Sequence, residues 1–136
     1  MARKPKAYVL DTWAVIAYLE DEPSAQQIAD LIATAHEESI PVYMTVVNVG
    51  EVWYTIAREV SEADANSSVK ELRDLRIQFV DADWELTQEA ARFKSQHKMS
   101  YADCYAAALA KTKKADLVTG DSEFKILEDQ IRIQWV

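Results

Sequence analysis

Five short apolar, β-rich runs recur along the chain, at residues 8–10, 42–44, 77–80, 117–119 and 131–136, each about one strand long. Between them lie longer stretches with helical spacing, such as Ile28, Leu31, Ile32 and Ala35, or Val46, Val49, Trp53, Ile56 and Val60. Alternation of strand and helix, with strands apolar on both faces, points to an α/β fold in which helices cover both sides of a parallel sheet of about five strands.

Length and composition narrow the class further. With 136 residues and 49% apolar side chains, the chain reads as a single domain, residues 1–136. At that size roughly 70% of the unfolded surface is buried on folding, so a core needs no disulfide or structural metal. Cys104 is the lone cysteine, which excludes an internal bridge and four-cysteine zinc modules. Two glycines in the whole chain exclude both the P-loop and the dinucleotide fingerprint. The basic N-terminus followed by Ala7 to Leu10 superficially resembles a secretion signal, but Asp11 interrupts it. No stretch approaches the ~18 apolar residues of a membrane span, so the expected location is cytoplasmic, with no membrane partner. A formal charge of −8 by itself argues against an anionic ligand such as nucleic acid.

In parallel sheets, ligands bind beyond the carboxyl ends of the strands. Asp11 closes the first strand, Asp121 lies just past the fourth, Glu51 comes early in the helix after the second, and Asp103 begins the helix leading into the fourth. Each has a local alternative. Asp11 and Asp121 stand where an N-cap would, and Ser100 to Asp103 has capping-box spacing. Glu51 is too far inside its helix to cap it, and pairing with Arg58 is the structural alternative. Four carboxylates aimed at one sheet edge repel one another unless a cation intervenes. With histidine and cysteine ligands missing, oxygen donors favour Mg²⁺ or Mn²⁺ over zinc, and metal-assisted phosphodiester cleavage is the chemistry such sites serve.

The segments Tyr8-Val9-Leu10-Asp11-Thr12, Asn48-Val49-Gly50-Glu51-Val52, Tyr101-Ala102-Asp103-Cys104-Tyr105-Ala106-Ala107-Ala108-Leu109-Ala110 and Leu117-Val118-Thr119-Gly120-Asp121-Ser122-Glu123-Phe124 occur in that order. Together they resemble a PIN domain, and in particular the VapC type of toxin ribonuclease. The resemblance implies a three-layer α/β/α fold, a Mg²⁺- or Mn²⁺-dependent endoribonuclease, a homodimer, and an antitoxin partner that masks the site. It also implies that Asp11, Glu51, Asp103 and Asp121 are catalytic and metal-binding, with Thr12, Asn48 and Thr119 in support. Many relatives follow the first aspartate with two small hydroxyl residues; here Thr12 is followed by Trp13, which either narrows the pocket or points into the core.

An RNA substrate must still be reconciled with the acidic total. From residue 92 to 114 six basic residues face Asp103 alone. Lys98 precedes the helix start and is the first expectation for guiding the RNA backbone, then Lys94 and Arg92. Lys111, Lys113 and Lys114 suit the negative end of a helix dipole. Trp53, Tyr54, Tyr101 and Tyr105 fall at helical spacing and read as core or dimer contacts, residues 60–75 as a helical hairpin, and His36, His97 and Cys104 as non-catalytic. A phosphatase or receiver-type Mg²⁺ pocket lacks its second acid here. A catalytically silent binding module on the same fold, its carboxylates serving only as caps, is the remaining alternative.

Overall fold

The computed structural model describes residues 4–136. In chain order the elements are β1 (Tyr8–Leu10), α1 (Thr12–Leu19), α2 (Ala25–Glu37), β2 (Val42–Thr45), α3 (Val46–Glu59), α4 (Glu62–Asp74), β3 (Gln78–Val80), α5 (Trp84–Gln96), α6 (Tyr101–Lys113), β4 (Asp116–Thr119), a 3₁₀ segment (Ser122–Leu127) and β5 (Arg132–Trp135). All four strand pairings are parallel, and the order across the sheet is β3-β2-β1-β4-β5. The expected α/β/α layering and five-stranded parallel sheet are what the chain forms.

Alternate strand residues feed two cores because successive side chains point to opposite faces. Ala7, Val9 and Leu117 pack with Leu86, Ala90 and Phe93 of α5, with α6, and with Phe124 and Leu127. Leu10, Val42, Met44 and Val118 pack instead with residues of α1 to α4, among them Val15, Ile28, Val52 and Leu72. The apolar run of α6 is buried from Cys104 to Ala110, and four alanines within it keep the helix slim enough to sit deep in the layer. Residues 60–75 hold one helix rather than a hairpin: α4 packs against α3, pinned by Trp53 Nε1 donating to Asn66 Oδ1 at 2.9 Å.

The topology places the site. The chain lays down β1, β2 and β3 in one direction, then crosses to the other side of β1 for β4 and β5. Such a reversal leaves a crevice at the carboxyl ends of the two strands that flank it, here β1 and β4. Asp11 directly follows β1, and Asp121 lies two residues beyond β4. Asp116 opens β4 at the opposite end of the sheet, beside Arg132. Among the described residues, no helix is long and apolar enough to cross a membrane.

Candidate metal centre and its cleft

Each helix start that delivers an acid is fixed by local capping. Asp11 caps α1, its Oδ1 accepting from Ala14 N at 2.8 Å. Asp121 caps the 3₁₀ segment, accepting from Glu123 N at 3.0 Å. Ser100 caps α6 by accepting from Asp103 N at 3.1 Å. The caps and the cleft are therefore compatible: capping turns each aspartate toward the carboxyl edge of the sheet, where the cleft lies.

Asp11 is the floor, 1% exposed. Its Oδ2 accepts from Thr119 Oγ1 at 2.5 Å, and the same hydroxyl oxygen accepts from Asp121 N at 3.0 Å. Thr119 thus links two acids 110 positions apart in sequence across the β1–β4 boundary, the residue doing so being the last of β4. Above the floor, one cleft of about 330 Å³ is lined by Glu51, Asp103 and Asp121, with Thr12, Thr55 and Ser100 and the indole of Trp13. Carboxylate oxygens of Asp103, Asp121 and Glu123 lie within 4.8 Å of one another.

The ionisation of the buried acids records their crowding. Burial first, then the Asp103 and Asp121 charges, raise the Asp11 carboxyl to about 7 against the lowering by its Thr119 and Ala14 hydrogen bonds. Burial, with Asp121, Glu51 and Glu123, raises Asp103 to about 6, while the Ser100 hydrogen bond lowers it. No lining residue is basic. A hard divalent cation suits this set: every donor is oxygen, three carboxylates converge, and the carboxyls of Asp11 and Asp103 are raised by burial and by neighbouring acids. Asp103, Asp121 and Glu123 would hold it most directly, with Glu51 on the same cleft wall and Asp11 beneath.

Asn48 organises the cleft from behind. It is fully buried at the first turn of α3, where Thr45 Oγ1 donates to its Oδ1 at 2.6 Å and accepts from its backbone N at 3.0 Å. Its Nδ2 donates to Thr12 Oγ1 at 3.2 Å and to Ala102 O at 3.1 Å. One amide thereby ties α3 to the starts of α1 and α6, the helices that carry Asp11 and Asp103. Asn48→Ala leaves these buried partners unsatisfied; an urea titration is expected to show a loss of about 2–4 kcal/mol.

The remaining expected site residues lie apart from the acids to different degrees. Lys98 is exposed on the loop just before Ser100. Lys94 turns its Nζ onto Met99 O at 2.6 Å, bracing that loop. Arg92 pairs with Glu89 and lines a separate groove with Lys111 and Lys113 toward the far end of α5 and α6. Arg58 lies over the Tyr54 ring, whose hydroxyl donates to Glu51 at 3.3 Å, so a tyrosine stands between Glu51 and the arginine expected as its partner. Tyr105 is core, but Tyr54 and Tyr101 are 46% and 44% exposed; Tyr54 bonds to Glu51, and Tyr101 lines a separate groove with Lys94.

Two features escaped sequence reasoning. Glu123 joins the acid cluster; its signal is the Asp121-Ser122-Glu123 spacing, which one tight turn brings together. Trp13 does both things expected of it as alternatives, packing against the α1–α4 core while walling the cleft. Its ring explains Gly120: a Cβ there would stand 2.2 Å from the indole Cη2. Gly120 has no left-handed φ, so close approach of the ring is what calls for glycine.

A family model described as PIN domain matches residues 8–129. No curated protein matches the chain in sequence. Among solved structures, VapBC2 from Rickettsia felis, bound to a DNA fragment from its promoter, aligns with a TM-score of 0.75 at 18% identity, covering 96% of this chain and 99% of that one. VapC20 of Mycobacterium tuberculosis, described as a sarcin-ricin loop cleaving toxin, aligns at 0.72 and 14%, covering 96% and 100%. DNA-bound VapBC from Salmonella typhimurium aligns at 0.71 and 14%, covering 94% and 96%. At these identities the likeness is one of fold.

Proposed function

The chain belongs to the PIN domain family, and from that premise we propose that it is a metal-dependent endoribonuclease, the toxin of a VapBC-type toxin–antitoxin pair. The observation that carries this reading is the convergence of Glu51, Asp103, Asp121 and Glu123 around one oxygen-lined cleft over buried Asp11. Mg²⁺ or Mn²⁺, when bound, supplies a Lewis acid for the scissile phosphate and a lowered pKa for water.

The chain's own residues have distinct tasks. Asp103, Asp121 and Glu123 present carboxylate oxygens for the cation. Asp11 adds negative potential from below and, through Thr119, fixes the turn that carries Asp121. Glu51, lining the same cleft, would orient a water by accepting its proton, and Tyr54 holds that carboxylate. Asn48 and Thr12 keep the three helix starts in register. Lys98, at the approach to Ser100, meets the incoming RNA backbone.

Toxin–antitoxin assemblies among the structural relatives support an antitoxin partner; its covering this cleft and a homodimer are parts of the same proposal. Purified, partner-free protein is expected to cleave single-stranded RNA in Mn²⁺, to stop in EDTA, and to gain thermal stability on adding the metal. If Mn²⁺ neither raised Tm nor supported cleavage, the carboxylates would be caps alone and a binding module would be the better account.

A further inference from the structure

The nuclease reading leaves open what grips the RNA. This cleft has no basic lining, and the protein carries a net charge of −8. Of the nearby cations, Lys94 is committed to Met99 O, and Arg92 pairs with Glu89 in another groove. Arg58 lies over the Tyr54 ring, and Lys98 remains on the approach loop. Cation–phosphate contact, the usual source of nucleic-acid affinity, is therefore sparse beside the acids.

One aromatic ring belongs to the cleft lining itself. Trp13 follows the Asp11–Thr12 pair directly, packs on one side against the core, and lines the cleft. Its outer ring atoms occupy the space a side chain at residue 120 would take, between Thr119 and Asp121, so the indole is locked rather than free to swing. Tyr101, next to Ser100 in sequence, is 44% exposed and lines a separate groove with Lys94 and Ser95. It is held edge-on by Tyr105 at a centroid distance of 5.1 Å, and Tyr105 is itself bonded to Thr87 at 2.6 Å. Immobilised rings lose little freedom when a base stacks on them, and every nucleobase offers a π-face.

We propose, resting on the nuclease reading, that RNA is held in this cleft chiefly by nucleobases flanking the scissile phosphate that stack on Trp13, with Tyr101 a second ring outside the cleft, so that Trp13 determines a preference for unpaired substrate. A paired base has both faces occupied by its neighbours and cannot use the platform. The weak cation content adds a second consequence: with about one phosphate contact, from Lys98, log affinity should fall with log salt at a slope of only about −0.7.

The test is binding of a single-stranded RNA carrying 2-aminopurine, in Ca²⁺ at fixed concentration, read as quenching of the base analogue on stacking. Wild-type protein should quench it. Trp13→Ala should weaken binding roughly 5- to 100-fold, Tyr101→Ala somewhat less, and Trp13→Phe by about threefold or less. Absence of quenching overturns the proposal, as does a folded Trp13→Ala with unchanged affinity or a salt slope steeper than about −3. If Trp13→Ala does not fold, quenching and the Tyr101→Ala and Trp13→Phe affinities decide. Cleavage in Mn²⁺ is followed in parallel: cleavage with an unaltered KM in Trp13→Ala removes stacking and leaves the nuclease, whereas quenching without cleavage by wild-type protein removes the nuclease and leaves the platform.

Discussion

Asp121→Asn is expected to lower the rate of the proposed RNA cleavage in Mn²⁺ by about 10³-fold while leaving the fold intact. The reasoning is local. An asparagine oxygen still accepts from Glu123 N, so the cap survives, but the charge facing Asp103 and Glu123 is gone. Several kcal/mol of charge stabilisation are at stake in such a centre, and each 1.36 kcal/mol is a decade in rate. Asp11→Asn should cost a similar factor by another route. Both Asp11 oxygens are engaged, and the new amide would point a donor at Thr119 Oγ1, which already accepts from Asp121 N. Initial rates paired with Tm check both; wild-type cleavage by either variant would remove the metal scheme.

In EDTA, the protein is expected to lose stability as pH rises from about 4 to about 7. The Asp11 carboxyl is raised from 3.8 to about 7 by burial and by Asp103 and Asp121, and Asp103 is raised to about 6 by burial and Asp121. Between the unfolded and folded values the native state holds more protons than the unfolded one, so unfolding releases protons and stability falls with pH. The contribution is complete below about pH 4 and lost by about pH 7. For Asp11 alone it is on the order of 4 kcal/mol. Metal-free Asp11→Asn should therefore match wild type near pH 4 and melt at least about 5 °C higher at pH 8. Mn²⁺ at pH 8 should raise Tm of the wild type more than that of the variant. A wild-type Tm that climbs steadily from pH 4 to 8 in EDTA, with Asp11→Asn running parallel, would contradict this account of the cluster.

Much of the site's framework is visible in short stretches of sequence. Strands 8–10 and 117–119 announce themselves by apolar β-rich composition, and Asp11, Thr45, Ser100 and Asp121 by the capping that follows each of them. These are signals that span four residues or fewer. Asn48 is harder: its position in the first turn of α3 is legible, but its bonds to Thr12 and Ala102 reach 36 and 54 positions along the chain. Arg92 and Lys94 illustrate the same limit in the basic segment. Six cations close in sequence look like one patch, yet Arg92 pairs with Glu89 along α5 in another groove and Lys94 is bonded to Met99 O, so neither lines the cleft.

Periodicity and capping, both short-range and set by backbone hydrogen bonding and apolar spacing, determined the layered α/β architecture and which edge of the sheet the aspartates would occupy. Tertiary packing alone decided that β4 lies against β1, that Thr119 bridges Asp11 to Asp121, that Glu123 joins them, and that the Trp13 ring closes over Gly120. Strand order and close approach depend on how two cores fill on opposite faces of one sheet, a property of side chains distant in sequence that no local window contains.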